Sequence, residues 1–141
     1  MVTVSESEDA IVKSDRDSIT IPAGTTKEIP FIYKFETTYL SPSITSIDTS
    51  RANTIGCVSM ESMFMGCESI TSLDLSGFDT SNVIDMRDMF WGCESLESLD
   101  LSNFDTSKVT DMGGMFAYCY KLNSLDVTSF DTSKVTTMGS L

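Results

Sequence analysis

The chain has 141 residues, nine Lys and Arg against 21 Asp and Glu, a formal net charge of −12 and no histidine. That length fits one modest domain or a section of a longer array. The acidity excludes nucleic acid and anionic membrane surfaces as partners, because both are held through cationic footprints. The absence of histidine removes the commonest general base and the commonest metal ligand together.

No run approaches the roughly 18 apolar residues of a bilayer span, so no membrane insertion is expected. The first 20 residues lack the basic start and apolar run of a secretion signal. Residues 1–18, MVTVSESEDAIVKSDRDS, are polar and acidic. The following ITIPAGTTKEIPFIYKFETTYL carries β-branched and aromatic alternation around the turn signal PAGT, which predicts two strands. Residues 1–43 therefore read as a non-repeat segment. It is either a β-rich cap over the region that begins at residue 44 or the end of a separate β module that docks into a larger assembly.

From residue 44 the chain repeats. Residues 44–69, 70–95, 96–121 and 122–141 align without a gap, placing Phe78, Phe104 and Phe130, as well as Cys67, Cys93 and Cys119, at a spacing of 26. A fixed period of this size marks a stack of units in which each buries its apolar face on its neighbours. Within a unit, Leu96, Leu99 and Leu101 open a short strand with one buried face. F-D-T-S is turn chemistry, since an Asp side chain can cap its own backbone two residues on. The spacing of M-x-x-M-F, apolar at i, i+3 and i+4, predicts one helical turn closed by Gly66 and Gly92.

The first unit is atypical, with Ala52 in a Phe position, Asn53 in an Asp position and Cys57 in a Val position. Terminal units have something other than a copy on one side. The last unit stops at Leu141, in the position of Met115, and reads as a truncation inside a longer array.

The segments SLDLSNFDTSKV and FDTSKVTDMGGMF resemble the 26-residue repeat of the BspA-like leucine-rich-repeat bacterial surface proteins, over residues 44–141. The resemblance implies an α/β fold, a leucine-rich-repeat-like right-handed solenoid. It also implies a secreted or wall-attached, extracellular setting, and some relatives act in adhesion. Such repeats occur in phage and protist proteins as well, and the family has no catalytic residues to carry over.

Stacked columns decide which residues carry chemistry. Cys67, Cys93 and Cys119 read as buried free thiols: side chains in such a ladder point in parallel, and three thiols cannot all pair. Zinc is not expected, because its ligands must converge, and no cofactor is implied. The methionine columns and Phe64, Phe90 and Phe116 read as core, while Phe78, Phe104 and Phe130 read as a stacked aromatic spine. Asp48, Asp74, Asp100 and Asp126 stand between inward positions and point outward, beside Ser72, Ser98 and Ser124 and the variable Glu97. They form either a plain solvated face or a contact surface for a cation or basic ligand.

A Ser nucleophile has no base to activate it here, so the chain is not expected to be an enzyme. Trp91, the only tryptophan, occupies a non-repeating position and reads as a binding hot spot or as edge packing. The expected function is a non-catalytic surface module that adheres to, or binds, a protein or glycan on another cell or particle. The alternative is a structural component of a phage particle, a head fibre or decoration protein of the virion, with the units as spacer.

Overall fold

A computed structural model describes residues 2–6, 10–13, 18–21, 26–29, 44–49 and 52–141. Five strands lie in its first part: β1 (Val2–Glu6), β2 (Ala10–Lys13), β3 (Ser18–Ile21), β4 (Thr26–Ile29) and β5 (Ile44–Asp48). Both strands expected around the PAGT turn are present, as β3 and β4, but they belong to different sheets. β3 pairs antiparallel with β2, and β1 lies antiparallel between β4 and β5. Strands β1 and β2 correct the reading of the acidic stretch as merely polar. Val2, Val4, Ile11 and Val12 supply β-branched residues that outweigh the intervening charges. The remainder of the expected strand region, residues 30–43, lies outside the described residues.

The pairing of β1 with β5 ties the two regions of the chain together, because β5 is the opening of the first 26-residue unit. Thr3 lies opposite Asp48 and Val4 opposite Ile47. The N-terminal segment is thereby joined by backbone hydrogen bonds to the start of the repeat region.

Beyond β5 the backbone groups are satisfied from one unit to the next. Isolated parallel bridges link Ser59 to Asp85, Asp85 to Asp111 and Asp111 to Thr137, and another links Ser98 to Ser124. Between Met60 and Gly66 every second N–H points onward: Met60 N donates to Asp85 O, Ser62 N to Arg87 O, Phe64 N to Met89 O and Gly66 N to Trp91 O, at 2.7–2.9 Å. The next unit repeats the pattern from Met86 to Gly92. Such ladders leave few orphaned polar groups in a chain with so little regular structure.

This ladder corrects the expected helical turn, for the described residues contain no helix. A helix sends each N–H back four residues with φ negative throughout. Here Ser62 and Gly66 take φ of 57° and 76°, and Asp88 and Gly92 take 54° and 73°. M-x-x-M-F is instead a pair of successive turns whose alternate N–H groups face the neighbouring unit. The opening L-x-S-L-D-L buries Leu99 and Leu101 and exposes Asp100, as alternation predicts. It pairs through only a single bridge, since the next turn begins at Ser102.

Inside, equivalent residues line up as columns, and the core runs continuously from Ile44 to Met115. The ring stack passes through Phe64, Phe90 and Phe116, with centroids 5.6 and 5.7 Å apart and planes within 7°. The other expected column, Phe78, Phe104 and Phe130, is inward at its first two members and half-buried at Phe130. Phe78 and Phe104 are buried, but Phe78 tilts at 35° onto Phe64. The face-to-face set is the one whose backbone is clamped by ladder bonds on both sides, Phe90 N to Met115 O and Phe64 N to Met89 O.

A second column was not anticipated. Thr54, Thr80 and Thr106 are buried, and each hydroxyl bridges to one residue of the next unit. Thr80 Oγ1 donates to Asp105 O at 3.1 Å and accepts from Asp105 N at 2.8 Å. Thr54 does the same at Asp79, and Thr106 at Asp131.

These columns set the stability of the stack, and each can be probed by one substitution. Phe90→Ala, at a fully buried ring stacked on both sides, should cost about 3–5 kcal/mol in urea unfolding, whereas Phe130→Ala, half-buried in the last unit, should cost clearly less. Thr106→Val keeps the shape but removes both partly buried hydrogen bonds to the Asp131 backbone, so it should cost about 1 kcal/mol. The same change at exposed Thr132 should leave the midpoint nearly unmoved.

Candidate functional site

The predicted outward residues are outward. Ser72, Asp74, Glu97, Ser98, Asp100, Ser124 and Asp126 are all exposed, as is Asp48 in β5. Ser98, Asp100, Ser124, Asp126 and Thr128 border an open depression of about 590 Å³.

The aspartates of this face also have a structural duty that sequence reasoning assigned only to the D-T-S column. Asp74 Oδ1 accepts the Ser76 N–H at 3.0 Å, Asp100 that of Ser102 at 2.9 Å and Asp126 that of Thr128 at 2.9 Å. The D-T-S aspartates behave identically: Asp79, Asp105 and Asp131 accept from Ser81, Ser107 and Ser133. So do Asp85 and Asp111, toward Arg87 and Gly113. Each corner of the unit is thus closed by a side-chain acceptor bonding its own backbone two residues on. In the atypical first unit, Asn53 does this for Ile55 and Ser59 for Glu61.

Hydrogen bonds from the following Ser or Thr hold Asp74, Asp79, Asp100, Asp105, Asp126 and Asp131 below the usual carboxylate range. Asp88 differs. Partial burial pushes its carboxyl up, and among the described residues its carboxylate accepts no hydrogen bond. Its nearest cation, Arg87, is held in an ion pair with Glu61.

Asp88 borders a second depression, of about 470 Å³, whose lining also includes Arg87, Trp91, Gly113, Gly114, Ala117 and Tyr118. Trp91 meets Tyr118 edge-to-face, with centroids 5.0 Å apart and planes at 70°, and Tyr118 in turn meets the exposed ring of Tyr120. Gly114 lies beneath. A Cβ there would collide with Asp88 Oδ1 and lie 3.7 Å from Trp91 Cδ1, so only glycine leaves Asp88 in place.

Sequence reasoning singled out Trp91 and missed Asp88 and Tyr118. Both were findable by subtracting the repeat. Asp88 stands where other units have Ser62, Gly114 and Ser140, and Tyr118 where they have Gly66 and Gly92. Trp91 is not brought together with the serine and aspartate face: the two depressions share no lining residue.

The four cysteines form no disulfide. Cys57, Cys67 and Cys93 are buried, whereas Cys119, expected to be buried as well, is half-buried because the unit beyond it ends before its own cysteine position. Cys93 and Cys119 donate their thiols to the carbonyls of Phe64 and Phe90, each at 3.2 Å. Burial, with Cys93 adjacent, pushes the Cys119 thiol up to about 12, so at neutral pH it carries almost no thiolate and is a poor nucleophile or metal ligand. Among the described residues no group of three or more Cys, Asp or Glu is placed to hold a metal ion. No helix among them is long and apolar enough to cross a membrane.

Among the described residues, these features define sequence units hydrogen-bonded one to the next, with short polar corners, and three of the residues that depart from the repeat, Asp88, Trp91 and Tyr118, border one depression. Residues 58–141, more than half of the chain, match the family described as "Mycoplasma protein of unknown function, DUF285", and the chain belongs to that family. No curated protein and no solved structure matches it.

The carboxylate pattern sets a pH dependence. A group whose folded pKa lies below its unfolded value stabilises the fold above that value and loses the contribution as pH falls through the folded pKa. Six aspartates shifted in this direction should make the urea midpoint flat near neutrality and steeply falling below about pH 4. Asp88, shifted upward, works the other way, so Asp88→Asn should leave the acid limb in place and hold or raise the midpoint at neutral pH.

Proposed function

We propose that the chain is a non-catalytic, surface-displayed repeat module of BspA-like type, built as a leucine-rich-repeat-like right-handed solenoid, that mediates adhesion or protein and ligand binding at the cell surface. The observation that carries the reading is the division between inside and outside. Core columns recur from unit to unit, while outward positions such as Thr71, Glu97 and Asn123 vary and stand exposed. A molecule that holds its interior and its corner-closing aspartates constant while other outward positions vary is organised for recognition. The hydrogen bonds between residues 25 or 26 apart support the solenoid reading. The family match supports a BspA-like relation.

The virion reading uses residues 1–43 as a docking element. In this chain β1 is already engaged between β4 and β5, an arrangement that favours a cap over the first unit and with it the display reading.

Binding to cells or immobilised matrix tests the proposal and its face. Aspartate-to-lysine changes would break the corners, so the variant of choice is Asp74→Asn, Asp100→Asn and Asp126→Asn together. An amide oxygen keeps the N–H acceptor, as Asn53 does, and only the charge is lost. Binding should weaken about threefold to thirtyfold for charged rim contacts, while the fold is kept and the urea midpoint at neutral pH falls only slightly, by the lost charge-assisted part of three exposed hydrogen bonds. Full retention of binding would exclude this face.

A further inference from the structure

We propose that the depression walled by Asp88, Trp91 and Tyr118 and floored by Gly113 and Gly114 is a cage for an alkylammonium group, presented as a lysine side chain by a protein partner. The inference stands on a different surface from the serine and aspartate face and does not depend on the adhesion reading.

The first argument is that the scaffold does not need these residues. The left-handed backbone at Asp88 forms equally with Ser62, Gly114 and Ser140, at φ of 57°, 64° and 58°. The turn that carries Trp91 forms with Met65 and Ala117 in its place. At Tyr118 the scaffold is worse served, because Gly66 and Gly92 occupy that position at φ of 76° and 73°, whereas Tyr118 adopts 61°. A bulky side chain there is strained, and such strain gathers where a side chain has a task. In this conformation the tyrosine ring meets Trp91 edge-to-face.

The second argument is chemical. Two rings at 70° make a corner, and the faces of Trp and Tyr attract cations. The two adjacent glycines let Asp88 Oδ1 lie close over Gly114, in the space that a Cβ would take. Beside Trp91 the lining carries Asp88, whose carboxylate, unlike those of the eight corner aspartates, accepts no hydrogen bond among the described residues. Arg87 also lines the depression and offsets part of the negative potential at Asp88, but its guanidinium is paired with Glu61, and Glu61, Asp111 and Asp85 add negative potential around Asp88. With a net charge of −12 over the chain, the field draws in a cationic group and repels an anionic one.

Trp91 is the only tryptophan, so its fluorescence reports the cage directly. The probes are tetramethylammonium chloride and N-acetyl-lysine amide, with sodium chloride at matched ionic strength and N-acetylglucosamine as comparisons. Both ammonium probes should give a saturable change that the two comparisons lack. Asp88→Asn should weaken it about tenfold, and Tyr118→Gly about threefold to tenfold.

Tyr118→Gly restores the residue of the other units, so its unfolding midpoint should hold or rise while binding falls. A structural role for Tyr118 would give the reverse. Saturation by the sugar but not by the ammonium probes, an equal response to sodium chloride, or unchanged affinity in both variants would overturn the proposal.

Discussion

One hydroxyl per unit fixes the register on which everything else depends. A buried threonine accepts the N–H and donates to the C=O of a single residue in the next unit. Shifting the stack by one residue would strand both groups, and with them the threonine. The apolar columns alone would tolerate such a slip poorly but not forbid it, because hydrophobic contact has no direction. The hydroxyl supplies the direction. Once Thr80 is seated on Asp105, the ladder from Met86 to Gly92 and the stacking of Phe90 on Phe116 fall into the same register.

Much of this is legible in the sequence. The period and the inward columns are plain there, because a buried position accepts few residue types and a repeat displays that restriction several times over. The cysteine column is readable as thiols for the same reason. The corner at D-T-S is readable from turn chemistry, but the same chemistry at D-L-S and D-M-R is hidden by competing patterns. Alternation makes D-L-S look like strand, and apolar spacing makes M-x-x-M-F look like helix. Which side of a turn an N–H faces is a tertiary fact. At Ser62 and Asp88 it is set by the neighbouring unit, and no local propensity encodes it. The threonine column is obscured for a related reason: a polar residue beside Asp and Ser looks exposed until the next unit is laid over it.

The candidate site is legible in the opposite sense. Repetition exposes the scaffold, and departures from it expose what the scaffold does not require. Trp91 stands out as a departure. Asp88 and Tyr118 are equally distinct, yet each taken alone reads as an ordinary surface residue. Only their convergence over Gly114 gives them meaning. The outward aspartates carry the converse lesson: Asp74, Asp100 and Asp126 recur because each closes a corner, whatever else they touch.

Corners that close on themselves have a consequence for how such a chain changes length. Each turn is completed by an aspartate of its own unit, and each interface matches the next. A recombination event that duplicates or deletes one whole unit therefore leaves every remaining contact of a kind already present. Copy number can drift without remaking a core, altering reach while leaving the fold alone. The trio of Asp88, Trp91 and Tyr118 does not drift with it. It is written across one particular pair of neighbours, and it would keep its address in the array however many identical layers were gained or lost on either side.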